Sequence, residues 1–328
     1  MTRAALALRI HRFEAVALGL LAAAVLGFAG GLLLRLLAFN VPLSCFRSSH
    51  SGDGLDSGCA GRSDYNDYLN LAADVGMYAV LALALLPFVL GLILGVAVIA
   101  KELERGTVAL AWSVGPSRRR WLLGVVAPGL VAVLGLGLIA GLVADRLELA
   151  RDPSIDPSAS LHHLGLRGVV LPAYALASFG IALAVGARLG RVLPALLLAG
   201  ALSLGSVLGT TAIVDAMLRS EAIPIAESSM IEVRAFAAGR VFDSLIRTPD
   251  GELISWFEAE ARYGTTLSEG LDPDRPGYDP TAGFGTAYLV TPGQLYPIAE
   301  WRLAVILGAI GLGGIVLAFA IVDRRRPG

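Results

Sequence analysis

The chain has 328 residues, 55% of them hydrophobic and 16% charged, with a mean hydropathy of +0.70 and a formal net charge of −1. A soluble domain carries about 25% charged residues. This composition excludes an ordinary water-soluble core, makes the lipid bilayer the expected solvent, and gives no reason to expect nucleic acid as a partner.

In chain order, residues 1–14 mix Arg3, Arg9, Arg12 and Glu14 with Ala, Leu, Ile and Phe. They read equally as a short interfacial helix or as a basic anchor on the inner side. Six apolar stretches follow: Ala15 to Phe39, Met77 to Ala100, Trp121 to Ala144, Gly168 to Arg188, Val192 to Met217 and Trp301 to Val322. Each meets the length of about 20 apolar residues that a membrane helix needs. Arg35, Asp145, Asp215 and Arg302 lie near span ends, where polar heads reach the headgroups. The runs are apolar all round, so helices fit and barrel strands, which alternate, do not. The first run is longer than a signal-peptide core and reads as a retained span.

The expected fold is an all-α membrane protein with six transmembrane helices, both termini cytoplasmic, and a larger extracellular region between spans five and six. The layout is an N-terminal segment 1–14, spans one to five within 15–217, an outer region 218–300, and the sixth span with a basic tail, 301–328. The loops within the bundle are outer 40–76, inner 101–120 and outer 145–167. Orientation rests on Lys and Arg in short loops near span ends. Lys101, Arg105 and Arg118 to Arg120 crowd the first inner loop, Arg188 and Arg191 the second, and Arg324 to Arg326 the tail; the acids expected on that side are Glu14, Glu102, Glu104 and Asp323.

Cys45 and Cys59 fall in the first outer loop, where a disulfide can persist. Closing a loop of about 15 residues stabilises by roughly 3 kcal/mol in the chain-entropy model. In the outer region, VFDSLI and ELISWF flank the turn signal RTPDG and predict a hairpin, while SEGLDPDRPGYDPTAGFG reads as irregular. Glycines at four-residue spacing (Gly27/Gly31, Gly91/Gly95, Gly137/Gly141, Gly186/Gly190, Gly205/Gly209) suit close helix packing. Ser203, Ser206 and Thr210 share one face of the fifth span; they either line a substrate path or bond their own helix and its neighbours.

Lys101 is the only lysine, and Glu102 follows it, so there is no Walker A loop. His11, His50, His162 and His163 show no zinc-ligand spacing, and the adjacent His162 and His163 read as solvated loop residues. No span carries a central carboxylate or histidine relay. The chain reads as non-catalytic and without a cofactor of its own.

The polar break KELERGTVALAWSVGPSRRRW, residues 101–121, interrupts two very apolar spans. Gly106 suits a helix end with positive φ. Thr107 can cap a short helix over VALAWSV, Gly115-Pro116 stops it, and Ser117 can cap the next span. Trp121 then sits in the aromatic belt.

The run AKELERGTVALAWSVGPSRRRWL resembles the cytoplasmic loop of type-2 ABC exporter permeases, particularly actinobacterial ones. Glu102, Glu104, Gly106, Thr107, Leu110, Trp112, Ser117, Arg118 and Trp121 carry the likeness. VTPGQLYPIAEW (Val290 to Trp301) is a weaker echo of the family's entry to the sixth span. The resemblance implies a permease subunit of the plasma membrane whose 101–120 loop is a coupling helix. That helix would dock on a separate ATP-binding subunit, which binds ATP and Mg and drives export. It also implies a second permease subunit, identical or related. The competing expectation is a non-transporting membrane receptor whose outer region binds a partner.

Overall fold

A computed structural model describes residues 12–50, 59, 62–106, 117–226, 238–264 and 283–325. Its helices are α1 (Arg12–Leu37), α2 (Leu43–His50), α3 (Ser63–Asn70), α4 (Gly76–Glu104), α5 (Arg118–Arg151), α6 (Val170–Leu189), α7 (Val192–Ser220), α8 (Trp256–Tyr263) and α9 (Tyr296–Arg324). Among the described residues, six helical runs are long and apolar enough to cross a membrane, and they correspond to the six apolar stretches of the sequence. The second is longer than hydropathy alone suggests. A π-helical turn, Leu71–Val75, joins α3 to α4 into one run of 42 residues. The polar string SDYNDYLN of α3 looks like a loop in sequence, yet it buries Tyr65 and Tyr68.

The centre of the bundle is α6. Its apolar stretch is 83% buried, against 17% for those of α1 and α7. Small residues let it approach α4 and α9 backbone to backbone. A Cβ on Gly95 would lie 2.6 Å from the Phe179 carbonyl oxygen, and one on Gly311 would lie 2.5 Å from that of Leu176. Gly180 faces Gly311 and Gly314 so closely that any side chain there would overlap backbone. Gly137 and Gly141 of α5 press on Pro172 and Gly168 in the same way. Lipid tails offer no hydrophobic drive between helices, so such van der Waals contact is a main source of cohesion. The pairs Gly27/Gly31 on α1 and Gly205/Gly209 on α7 meet nothing within 4 Å.

The all-α expectation fails between α7 and α9. Residues there form a four-stranded antiparallel sheet, ordered β1 (Ile223–Ala226), β4 (Gly285–Thr291), β2 (Arg240–Arg247), β3 (Leu253–Ser255). The predicted hairpin is β2–β3, but its second arm stops at Ser255, whose Oγ accepts from the Glu258 N–H and starts α8. The sheet is bound to the bundle because β1 follows α7 and β4 leads into α9. Arg240 pairs with Asp215 at 2.8 Å, Arg302 with Glu221 at 2.7 Å, and the Thr291 hydroxyl donates to the Leu218 carbonyl at 2.7 Å. The segment read as irregular lies, up to residue 282, outside the described residues.

At this end of the bundle Cys45 and Cys59 are joined, with Cα atoms 5.6 Å apart. Arg167, the last residue of the 145–167 loop, is 2% exposed. Its guanidinium donates to the carbonyls of Pro157 (2.6 Å) and Ser160 (2.8 Å) and lies 4.0 Å from the centroid of the Tyr296 ring. Buried charge needs such partners. His163 departs from the solvated reading. It is half-buried with φ +55°, and its Nδ1 lies 2.7 Å from a Glu148 oxygen.

Candidate functional site

The opposite end of the bundle carries the polar break. There α4 ends in Lys101-Glu102-Leu103-Glu104, followed by Arg105 at the C-cap and Gly106 at φ +71°. A Cβ on Gly106 would touch nothing within 4 Å. Glycine is therefore favoured here by backbone angle, not by space. Beyond the loop, Ser117 is extended, and its Oγ accepts from the Arg120 N–H at 3.3 Å, opening α5. Residues 107–116, with Thr107, Leu110 and Trp112, lie outside the described residues.

Both margins of the loop are tied to other helices. Glu104 Oε2 accepts from the N–H of Val192, the first residue of α7, at 3.0 Å. The N-cap residue of α7, Arg191, makes no side-chain cap of its own. A carboxylate from α4 thus satisfies an orphan N–H and sits at the positive end of the α7 dipole. Glu102 is half-exposed one turn-fraction earlier on the same helix end.

At the other margin, Arg118 Nη1 donates to the carbonyls of Arg325 (2.6 Å) and Asp323 (3.3 Å), where α9 ends. Arg119 pairs with Asp323 at 2.7 Å, though Arg119 is 74% exposed and the pair adds little stability. Arg325 in turn donates to the Ala187 carbonyl at 2.6 Å, in the last turn of α6. The contacts therefore form two sets, one joining α4 to α7 and the other joining α5 to α9 and α6. Apart from the Arg119–Asp323 pair, each link satisfies a backbone group at a helix end, as helix termini require.

Sequence reasoning singled out Glu104 and Gly106 but counted Asp323 and Arg325 only as topogenic charges. The available signal was the lone acid in IVDRRRPG, facing the Arg118 to Arg120 run across the same membrane surface. Ser203 and Thr210 lie on the packed side of α7. The Ser206 hydroxyl donates to the Ser203 carbonyl, and Thr210 to the Ser206 carbonyl, both at 2.7 Å, so these two groups are bonded within their own helix. Among the described residues, no group of three or more His, Cys, Asp and Glu side chains is placed to hold a metal ion.

A family model described as "ABC-2 membrane transporter related" matches residues 43–219. No curated protein and no solved structure matches the chain. The matched region holds α2 to α7, including both margins of the polar loop and most of the apolar spans. With more than half of its length matched and six helices able to cross a membrane, the chain belongs to the ABC-2 membrane transporter related family and is a multi-pass membrane transport component.

Proposed function

We propose that the chain is the permease subunit of an ATP-binding cassette exporter in the plasma membrane, with both termini and the 101–120 loop in the cytoplasm. The observation that carries this reading is the pair of contact sets at the loop's two margins, Glu104 on one side and Arg118, Asp323 and Arg325 on the other. A force applied to the loop reaches the ends of five helices through single hydrogen bonds, which suits a part that transmits work. The working partner is a separate ATPase that binds ATP and Mg. Glu102, Glu104, Gly106, Thr107, Leu110 and Trp112 form its docking surface, and Ser203, Ser206 and Thr210 border the substrate path.

A second permease subunit, identical or related, completes the transporter. Support comes from α1 and α7, the least buried spans. Both carry glycine pairs that meet nothing within 4 Å. The deciding experiment is co-expression with the candidate ATPase and purification through a tag on this chain. The variant carrying Glu102→Arg and Gly106→Pro loses the ATPase while remaining folded. Normal ATPase recovery and normal transport from that variant would sink the docking assignment.

A further inference from the structure

A cleft of about 370 Å3 opens at the disulfide end of the bundle. Leu36 and Leu37 of α1, Leu43 and Phe46 of α2, Tyr68 of α3 and Leu149 of α5 form its walls. The floor is buried: Leu36, Phe46 and Tyr68 are each at most 5% exposed. The rim is not, with Leu37 66% and Leu43 55% exposed. The Tyr68 hydroxyl donates to the Ala150 carbonyl, and its ring packs edge-on against Phe46 with centroids 5.1 Å apart. The phenol is thus turned to the protein and the floor offers apolar surface.

Arg146 is the one charged residue among those lining the cleft. It is exposed, and on α5 it shares a face with Leu149 and Ala150, three and four residues on. Its depth can be counted along the helix. From Trp121 to Arg146 is a rise of about 37 Å, at about 1.5 Å per residue. The hydrocarbon core is about 30 Å thick. With Trp121 at one interface, the guanidinium therefore stands at headgroup level on the other, beside an apolar trough that water would otherwise cover.

We propose that this cleft binds one anionic phospholipid, with its phosphate on Arg146, an acyl chain running inward along Leu33, Leu36 and Leu37, and Leu43 and Leu149 closing the cleft above it. Guanidinium matches phosphate in charge and fork geometry; a zwitterionic lipid carries the same phosphate but brings its own cation against Arg146, so a net negative headgroup is preferred, and the cleft matches an acyl chain in polarity. The disulfide is part of the site. It anchors α2, which supplies Leu43 and Phe46, and the Tyr65 hydroxyl adds a hydrogen bond of 3.3 Å to the Cys45 carbonyl.

Native mass spectrometry of the purified chain tests this, with phosphatidylglycerol and phosphatidylcholine of identical acyl chains as probes. The wild type binds its first phosphatidylglycerol roughly tenfold more tightly than phosphatidylcholine. Arg146→Gln brings the two lipids within about twofold, and Arg146→Lys keeps most of the preference. Leu149→Trp, which fills the cleft, weakens both lipids without touching the charge, as does reduction of the disulfide. Equal binding of the two lipids by the wild type, or a preference that survives Arg146→Gln, overturns the proposal. So does a lipid-independent dimer abolished by Leu149→Trp, which would assign the cleft to a second copy of the chain.

Discussion

The two ends of the bundle are held together by different means. At the disulfide end the links are covalent, backbone-to-backbone or broad: Cys45–Cys59, the Gly141–Gly168 contact, the buried Arg167 and a sheet that continues α7 and α9. At the loop end they are a few side-chain hydrogen bonds onto helix termini, from Glu104, Arg118 and Arg325. Contacts of the first kind must break to move. Those of the second kind can be exchanged for water or a partner at modest cost, since a net hydrogen bond contributes about 1 kcal/mol and one to a charged group about 1.5–3. The contrast teaches where motion can start: the loop end can rearrange while the disulfide end stays fixed.

The largest effect should come from the rigid interior. Gly180→Leu forces a side chain into the Gly311 backbone, and overpacking of this kind costs about 3 kcal/mol or more. Loss of a monodisperse peak in size-exclusion chromatography is the expected result; a folded variant would show that α6 and α9 can separate freely. Next, Cys45→Ser should cost roughly 3 kcal/mol and lower the melting temperature as much as Cys59→Ser or the double variant does. Unequal single variants would mean that one sulfur matters beyond the bridge.

At the loop end, Arg118→Gln with Arg325→Gln should cost about 2 kcal/mol, because these groups are partly exposed. Its functional effect should be larger than its thermal one. ATPase binding persists while ATP hydrolysis no longer drives transport, measured in proteoliposomes. Glu104→Ala removes a cap and should cost about 1 kcal/mol, with Glu104→Gln milder because an amide oxygen still accepts. Thermal melting of the three proteins checks the order. Smallest for folding is Gly205→Leu, which meets open space. It should leave the melting temperature unchanged and shift the mass of the purified particle, if α7 faces a second subunit.

Much of this contrast is visible in the sequence, because hydrophobicity and chain punctuation are local. The six spans, the left-handed Gly106, the Ser117 cap and the β2–β3 turn each follow from a few neighbouring residues. What is not visible depends on distant partners. Pairing of β1 with β4 joins Ile223 to Val290 across the whole connection from α7 to α9, and no local pattern sets that register. Nothing near Arg167 in the sequence marks it as buried; the carbonyls of Pro157 and Ser160 and the ring of Tyr296 that surround it come from folding. The tails of α9 and α6 meet through Arg325, which a sequence shows only as one more positive charge. Glycine spacing is equally mute: Gly91/Gly95 and Gly205/Gly209 read alike, yet only the first pair is used within the chain.

The most direct measurement replaces residues 107–116 with a Gly-Ser linker of equal length and counts ATPase subunits bound to the purified chain. Docking through this loop predicts that the ATPase is lost while the disulfide forms and the chain stays monodisperse. Stoichiometric ATPase on the linker variant would contradict it.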